Sequence, residues 1–268
     1  MRALSGLCLA VVLTTSACAS DVSDSEPPEG NTSSDGTAAS SDAEASKRPL
    51  RGKRIVLDPG HQLGNARFPD KINRPVPAGG FKKPCNSTGT ATNGGYAEAT
   101  LNWRVSKIVA RKLRRLGAKV HLTRHSNRRD RWGPCVDKRG RAGNRWKAHL
   151  KISVHADGST SGGRGFHVIA PTRRKHWTAD IYKPSKRLAK AVRHGLRKRH
   201  FPTSNYAGKH GLDFRSDLGT LNMSNVPTVM AELGNMRNRR DARAMTRPKG
   251  RQRYARGLVT GVRTYLHR

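Results

Sequence analysis

The stretch Lys53–His61, KRIVLDPGH, decides how the rest of the chain is interpreted. Residues 55–57 are three consecutive apolar residues, which is typical of a strand buried on both faces of a sheet. The Asp-Pro-Gly sequence at 58–60 then interrupts the strand. His61 is therefore predicted to lie in the turn just beyond the strand's carboxyl end, where open α/β sheets bind their ligands.

Two later strands are predicted to end in the same way. The run at 150–155, LKISVH, ends on His155, and the run at 228–232, TVMAE, ends on Glu232. A fourth polar residue, Glu98, begins a helix. A first-turn glutamate is also stabilised by the helix dipole when it faces solvent, so Glu98 is a candidate only in combination with His61 and His155.

The pattern of the remaining chain predicts the fold class. Apolar residues from Leu101 to Leu116 recur every three or four positions, which indicates an amphipathic helix that ends at Gly117. Further strands are expected at 118–124, 163–171 and 226–232, and further helices at 139–149, 185–199 and 252–266. This alternation predicts an α/β fold: a single domain with a central mostly parallel twisted sheet, flanked by helices on both faces.

The charge of the chain is large and unevenly distributed. Its 268 residues contain 53 Lys and Arg against 18 Asp and Glu, a formal net charge of +35. Seven of the acids lie in the first 46 residues, so the chain from Lys47 onward carries 52 basic residues against 11 acidic ones. Such a field favours anionic partners. Aromatic residues make up only 5% of the chain, which argues against nucleic acid as the partner because base stacking needs them.

The first 19 residues are predicted to be a signal peptide, because Arg2 precedes the apolar run at 7–13. Two endings stay open. Ala17-Cys18-Ala19 fits a cleavage site that releases a secreted protein, whereas 15–18 resembles a lipobox, which would anchor Cys18 to the membrane by lipidation. We expect either a cell-envelope or a secreted location. Residues 20–47 are too polar to fold and are predicted to be a disordered acidic linker.

Two histidines and two glutamates at neighbouring strand and helix ends have the composition of a catalytic zinc site. Zinc in hydrolases takes three nitrogen or oxygen ligands and keeps one position open for water. His61, Glu98 and His155 fit the ligand set, with one Zn²⁺ per chain. Glu232 fits the role of general acid and base. The expected reaction is metal-assisted hydrolysis of an acyl–nitrogen bond. Of the remaining histidines, His125 and His210 are the best candidates for further roles.

Five motifs together resemble one family, the zinc-dependent N-acetylmuramoyl-L-alanine amidases of type 3. They are IVLDPGH, GGYAEATLN, VHLTR, RAGNRWKAHLKISVHADG and VPTVMAELGNMRN. The resemblance covers about residues 52–268. The resemblance implies that 48–268 is the catalytic domain and that the substrate is peptidoglycan or its muropeptide fragments. It assigns metal binding to His61, Glu98 and His155, and catalysis to Glu232. Asn235 stands where the family usually has phenylalanine.

Other functions stay open beside this resemblance. A zinc peptidase that cuts within the stem peptide would use the same chemistry, and a non-catalytic wall-binding protein would retain the fold. The basic surface is expected to hold anionic wall polymers, and the chain is expected to be a monomer. Contact with a membrane is expected only through a lipid anchor.

Cys85 and Cys135 are the cysteines that remain beyond the signal segment. The export signal favours a disulfide between them, although two buried free thiols are the alternative. The bond would join the long loop at 62–94, which follows the first strand, to the charged loop after Arg124. That long loop is expected to lie beside His61.

Overall fold

The computed structural model describes residues 48–160 and 162–267. The predicted signal peptide, the acidic linker and Cys18 lie outside the described residues. Within them, no helix has the length and apolar character needed to cross a membrane.

The described chain forms eight strands and seven helices. In order they are β1 (Arg54–Pro59), α1 (Pro69–Asn73), β2 (Pro75–Pro77), β3 (Lys82–Pro84), α2 (Glu98–Arg115), β4 (Lys119–Leu122), α3 (Val136–Arg141), β5 (Leu150–Asp157), β6 (His167–Pro171), α4 (Ala179–Arg197), β7 (Leu212–Arg215), α5 (Gly219–Asn222), β8 (Thr228–Asn235), α6 (Arg239–Thr246) and α7 (Pro248–Leu266).

The central sheet has six strands in the order β4-β1-β5-β8-β6-β7. The first four strands of this order are parallel, while β6 runs antiparallel to β8 and β7 runs parallel to β6. The predicted mostly parallel sheet is therefore confirmed. The carboxyl ends of β1, β5 and β8 meet at one edge, and this places the polar residues that follow or end these strands side by side.

Apolar side chains cover both faces of the sheet. On one face, α2 packs against β1 and β5, α4 packs against β6 and β8, and α7 packs against α2 and α4. Alternate strand residues such as Leu57 and Ile152 belong to this main core. On the other face, short elements take the place of long helices: Val56 packs with Ala148, and Met230 packs with Leu221 of α5. The second face therefore stays thinner, and the loops above it are free to shape a cleft.

Several predicted boundaries are corrected by the structure. The helix expected at 139–149 is wrong: α3 spans Val136–Arg141, and the chain then turns, with Lys147 in the left-handed region at φ 47°. Gly143 packs so closely on Val226 that a Cβ would lie 2.9 Å from its side chain, and no larger residue fits this turn. The loop at 62–94 contains α1 and the β2–β3 hairpin, and β8 continues to Asn235 instead of ending at Glu232.

Candidate active site

His61 reaches the sheet edge through a tight turn after β1. The Gly60 N–H donates to the carbonyl of Val154 on β5 at 3.0 Å, so the turn is attached to the neighbouring strand. A Cβ on Gly60 would lie 2.2 Å from the ring of His155, which excludes every other residue. His61 itself has a left-handed backbone at φ 56°, an unfavourable conformation for a non-glycine residue that surrounding contacts must stabilise.

A buried ion pair supplies those contacts. The Asp58 carboxylate accepts hydrogen bonds from Arg139 Nη1 at 2.5 Å and from the hydroxyls of Thr123 and Ser153 at 2.5 and 2.7 Å. Although burial opposes ionisation, Arg139 and the two hydroxyls hold the pKa of Asp58 well below its usual range. The Arg139 guanidinium also donates to the carbonyls of Pro59 and His61, both at 2.8 Å. The charged pair thus holds the backbone on both sides of Gly60.

Arg124, also buried, supports the same turn from the side of α2. Its guanidinium donates to the carbonyl of Pro59 at 2.9 Å and to that of Ala99, in the first turn of α2, at 2.7 Å. This bridge connects the end of β1 to the start of the helix that carries Glu98.

The Glu98 carboxylate lies between the two histidines. Its Oε1 is 3.1 Å from His61 Nε2 and 3.0 Å from His155 Nδ1, and one ligand atom from each of the three residues lies within 4.8 Å of the other two. The Ala156 N–H and the Asn102 amide also donate to Oε1, at 3.2 and 3.1 Å. Two imidazoles and one carboxylate, oriented by other groups and facing one point, are a suitable set of ligands for zinc.

The second ring nitrogen of His61 is oriented by the loop at 62–94. His61 Nδ1 lies 3.0 Å from the Ser87 carbonyl, which also accepts from the Asn65 amide at 2.7 Å. With Nδ1–H donating to that carbonyl, Nε2 keeps its lone pair free for a metal. The loop therefore takes part in the site, as predicted.

A disulfide joins Cys85 and Cys135, two residues before Ser87 and at the N-cap of α3, and this confirms the predicted pairing. The Val136 N–H also donates to the Cys85 carbonyl at 2.7 Å. The bond therefore connects the loop that orients His61 to the helix that carries Arg139.

Glu232 lies directly beside the cluster. It is the partner of His155 in the β5–β8 register, and its Oε2 is buried without a hydrogen-bond partner among the described residues. Burial, followed by the nearby carboxylates of Glu98 and Asp157, raises the pKa of Glu232 well above its usual range, although Arg215 opposes this. A raised pKa favours the protonated carboxyl group, which is the form that can act as an acid.

The cluster and Glu232 line one cleft of about 430 Å³. Its walls come from the loop at 62–94, from residues 155–158 and from the segment around α5, which includes Leu218 and Thr220. The cleft is open to solvent and large enough for a sugar or peptide unit.

The structure therefore brings together the four residues singled out in the sequence. His61, Glu98 and His155 form the cluster, and Glu232 faces the same cleft. His125 and His210 do not line it. Sequence reasoning missed Asp58, Arg139 and Arg124, although two signals were present: a charged residue directly after the apolar run of the first predicted strand, and Arg124 at the end of the quoted motif VHLTR.

The comparisons with known proteins agree with this arrangement. A sequence profile described as N-acetylmuramoyl-L-alanine amidase matches residues 55–264. An N-acetylmuramoyl-L-alanine amidase of Mycobacterium tuberculosis is 38% identical over 229 residues, which cover 84% of this chain and 91% of the relative. A probable cell wall amidase of Staphylococcus saprophyticus is 25% identical and matches over 62% of its own length.

Solved structures show the same fold. The apo N-acetylmuramyl-L-alanine amidase of Mycobacterium abscessus superposes with a TM-score of 0.76 at 39% identity, covering 81% of this chain and 100% of that one. The corresponding enzyme of Mycobacterium smegmatis gives 0.77 at 37% identity, covering 81% and 98%. The resemblance seen in the motifs is confirmed, and the chain belongs to the N-acetylmuramoyl-L-alanine amidase family.

Proposed function

We propose that this chain hydrolyses the amide bond between the lactyl group of N-acetylmuramic acid and L-alanine in peptidoglycan, using one zinc ion per chain. His61, Glu98 and His155 would bind the ion, and Glu232 would act as acid and base. The observation that supports this most directly is the cluster of three ligand atoms beside an unpartnered carboxyl oxygen in one cleft.

The ligand arrangement fits zinc better than a hard cation. Two of the three ligands are imidazole nitrogens, which zinc accepts readily and magnesium or calcium avoids. The three residues line the cleft, from which water and substrate would reach the ion. When bound, zinc supplies positive charge that acidifies a coordinated water and polarises the substrate carbonyl.

The chain's own residues provide the proton path and the orientation. Glu232 accepts the proton of the attacking water and donates a proton to the departing amine of L-alanine, so its carboxyl group ends the reaction as it began. Because its pKa is raised by burial and by the neighbouring carboxylates, the protonated form persists long enough to serve the leaving group. Ser87 and Asn102 hold His61 and Glu98 in place during these steps.

Product analysis tests the proposal. Purified protein is incubated with muropeptides, and the products are identified by mass spectrometry, with a chelator and zinc re-addition as the metal control. We expect stem peptides that begin at L-alanine. The Glu232→Gln variant should lose at least about a hundredfold in rate while binding zinc as tightly as the wild type, which separates the acid–base role from metal binding.

Other products would reassign the chain. Cleavage inside the stem would make it a peptidase, and intact muropeptides with zinc bound would make it a wall-binding protein. Neither alternative has support beyond the shared fold and chemistry.

The envelope setting forms part of the same proposal. We assign catalysis to residues 48–268, export to the first 19 residues and tethering to 20–47, with the monomer as the working form. Mass spectrometry of the mature amino terminus would distinguish a lipid-modified Cys18 from a free Ser20. Anionic wall polymers would be held by the basic surface, and this binding should weaken as salt rises.

A further inference from the structure

A second concave surface lies far from the cleft, between α4 and α7. This surface, called the basic groove here, encloses about 840 Å³ and is lined by Arg187, Lys190 and His194 on α4 and by Tyr265 and Leu266 on α7. It continues along α4 past Arg193 to Arg197 and Lys198. The groove has no part in the site described above.

Its basic side chains are regularly spaced and exposed. Arg187, Lys190, His194 and Arg197 are three or four positions apart on one helix, which places them roughly 4.5–6 Å apart along its axis. Within residues 48–160 and 162–267, no carboxylate forms an ion pair with any of them. The positive charge of the groove is therefore available to an outside partner.

The floor of the groove is less polar than its rim. Ala191 is buried, and Tyr265 and Leu266 are half-buried between the two helices. A carbon-rich surface below a row of cations suits a polymer whose charged groups alternate with sugar or polyol carbons. A compact ion such as free phosphate would use the rim alone.

The groove lies near the opposite edge of the sheet from the active site. His149, which lines it, immediately precedes β5, whose other end carries His155. The two histidines are six positions apart along an extended strand, a distance of about 20 Å. A polymer in the groove would not occupy the catalytic cleft.

We propose that the basic groove binds a linear anionic wall polymer of the phosphodiester-linked class and so retains the enzyme on its insoluble substrate. The inference rests on the proposed envelope function and deepens it, because it assigns wall attachment to one surface instead of to net charge. The repeat of cations along α4 matches a chain with one charge per sugar or polyol unit.

Inorganic polyphosphate is the probe for the test, and the full chain is used throughout. The groove variant carries Lys190→Gln, Arg197→Gln and Lys198→Gln. A matched control variant carries Lys107→Gln, Arg111→Gln and Arg115→Gln on the exposed face of α2, so both proteins lose three positive charges. Binding is measured by calorimetry over a range of salt concentrations, and hydrolysis of soluble muropeptides is measured in parallel.

We expect the groove variant to bind polyphosphate roughly 10- to 50-fold more weakly near 0.1 M salt and to lose about 2 from the slope of log K against log salt. The control variant should change by less than about threefold, since net charge alone acts weakly at a distance. Both variants should cleave soluble muropeptides at the wild-type rate, while the groove variant releases less product from whole walls.

Two results would overturn the inference. Equal losses in both variants would mean that binding depends on overall charge and not on the groove. A wild-type protein that does not bind polyphosphate would mean that the groove does not bind phosphodiester-linked polymers. A wild-type protein inactive on muropeptides would contradict the proposed function, yet polyphosphate binding would still report on the groove.

Discussion

Replacement of Asp58 by asparagine tests the claim that a buried ion pair holds the active-site turn. The carboxylate is fully buried and accepts three hydrogen bonds, one of them from the nearly buried Arg139. The substitution keeps the size of the side chain but leaves the guanidinium without its counter-charge. Because Arg139 also holds the carbonyls on both sides of Gly60, the turn that carries His61 should loosen as well.

The expected loss of unfolding free energy follows from the burial of the Asp58–Arg139 pair. Removing one partner of a buried pair typically costs about 3–5 kcal/mol, since the remaining charge stays desolvated. That is a large part of the roughly 5–15 kcal/mol by which domains are stable. The matched control is Asp130→Asn, which removes an exposed partner of Arg128 and should leave the unfolding midpoint unchanged because solvent screens such pairs.

Urea unfolding at several pH values provides the measurement. The depressed pKa of Asp58 contributes stability that is present above about pH 4, its unfolded value, and is lost as pH falls toward the folded value. Asp58→Asn should therefore be much less stable than wild type at pH 7, with a smaller difference in acid. A variant within about 1 kcal/mol of wild type at pH 7 would refute the reasoning, because it would mean that Arg139 needs no counter-charge.

Three further predictions concern the supports of the site. Gly60→Ala should weaken zinc binding, measured by competition with a chelator, by about 10- to 100-fold because the new methyl group displaces the His155 ring, whereas Gly94→Ala, in open space, should not. Burial lowers the pKa of Lys151 to about 7, so the unfolded state binds more protons than the folded state between pH 7 and about 10. The free energy of unfolding of the wild type should therefore rise by about 2 kcal/mol from pH 7 to 9. Urea unfolding of Lys151→Met should show no such rise. Reduction of the disulfide, which closes a loop across a separation of 50 residues, should cost about 4 kcal/mol in unfolding free energy by loop entropy. Urea unfolding with and without reductant measures this cost.

The parts of the fold that sequence predicts are those with local signals. An apolar run, a breaking Asp-Pro-Gly and a histidine lie within nine residues, so β1 and the position of His61 could be predicted without knowledge of the rest of the chain. The helix that begins at Glu98 was predictable for the same reason, since its apolar period repeats through four turns. These local signals placed His61, His155 and Glu232 at strand ends, whereas Glu98 became a candidate only in combination with the two histidines.

The features that the sequence did not predict depend on contacts between residues that are distant in the chain. Asp58 and Arg139 are 81 positions apart, and the sequence around either residue does not indicate the other. The helix expected at 139–149 is wrong in a segment where Gly143 packs closely on Val226, a residue distant in sequence. Helix α6 was missed in a stretch rich in arginine, although the side chain of Asn238 caps it by accepting from two backbone N–H groups.

The pairing of β5 with β8 determines which parts of this protein can vary in sequence without moving the candidate active-site residues. His155 and Glu232 are neighbours in a hydrogen-bonded ladder, so their separation is set by the spacing of backbones and not by side-chain packing. The walls of the cleft come instead from connecting segments that insertions and substitutions alter at little cost. Selectivity for different stem peptides can therefore diversify in the connecting segments while His155 and Glu232 keep their distance.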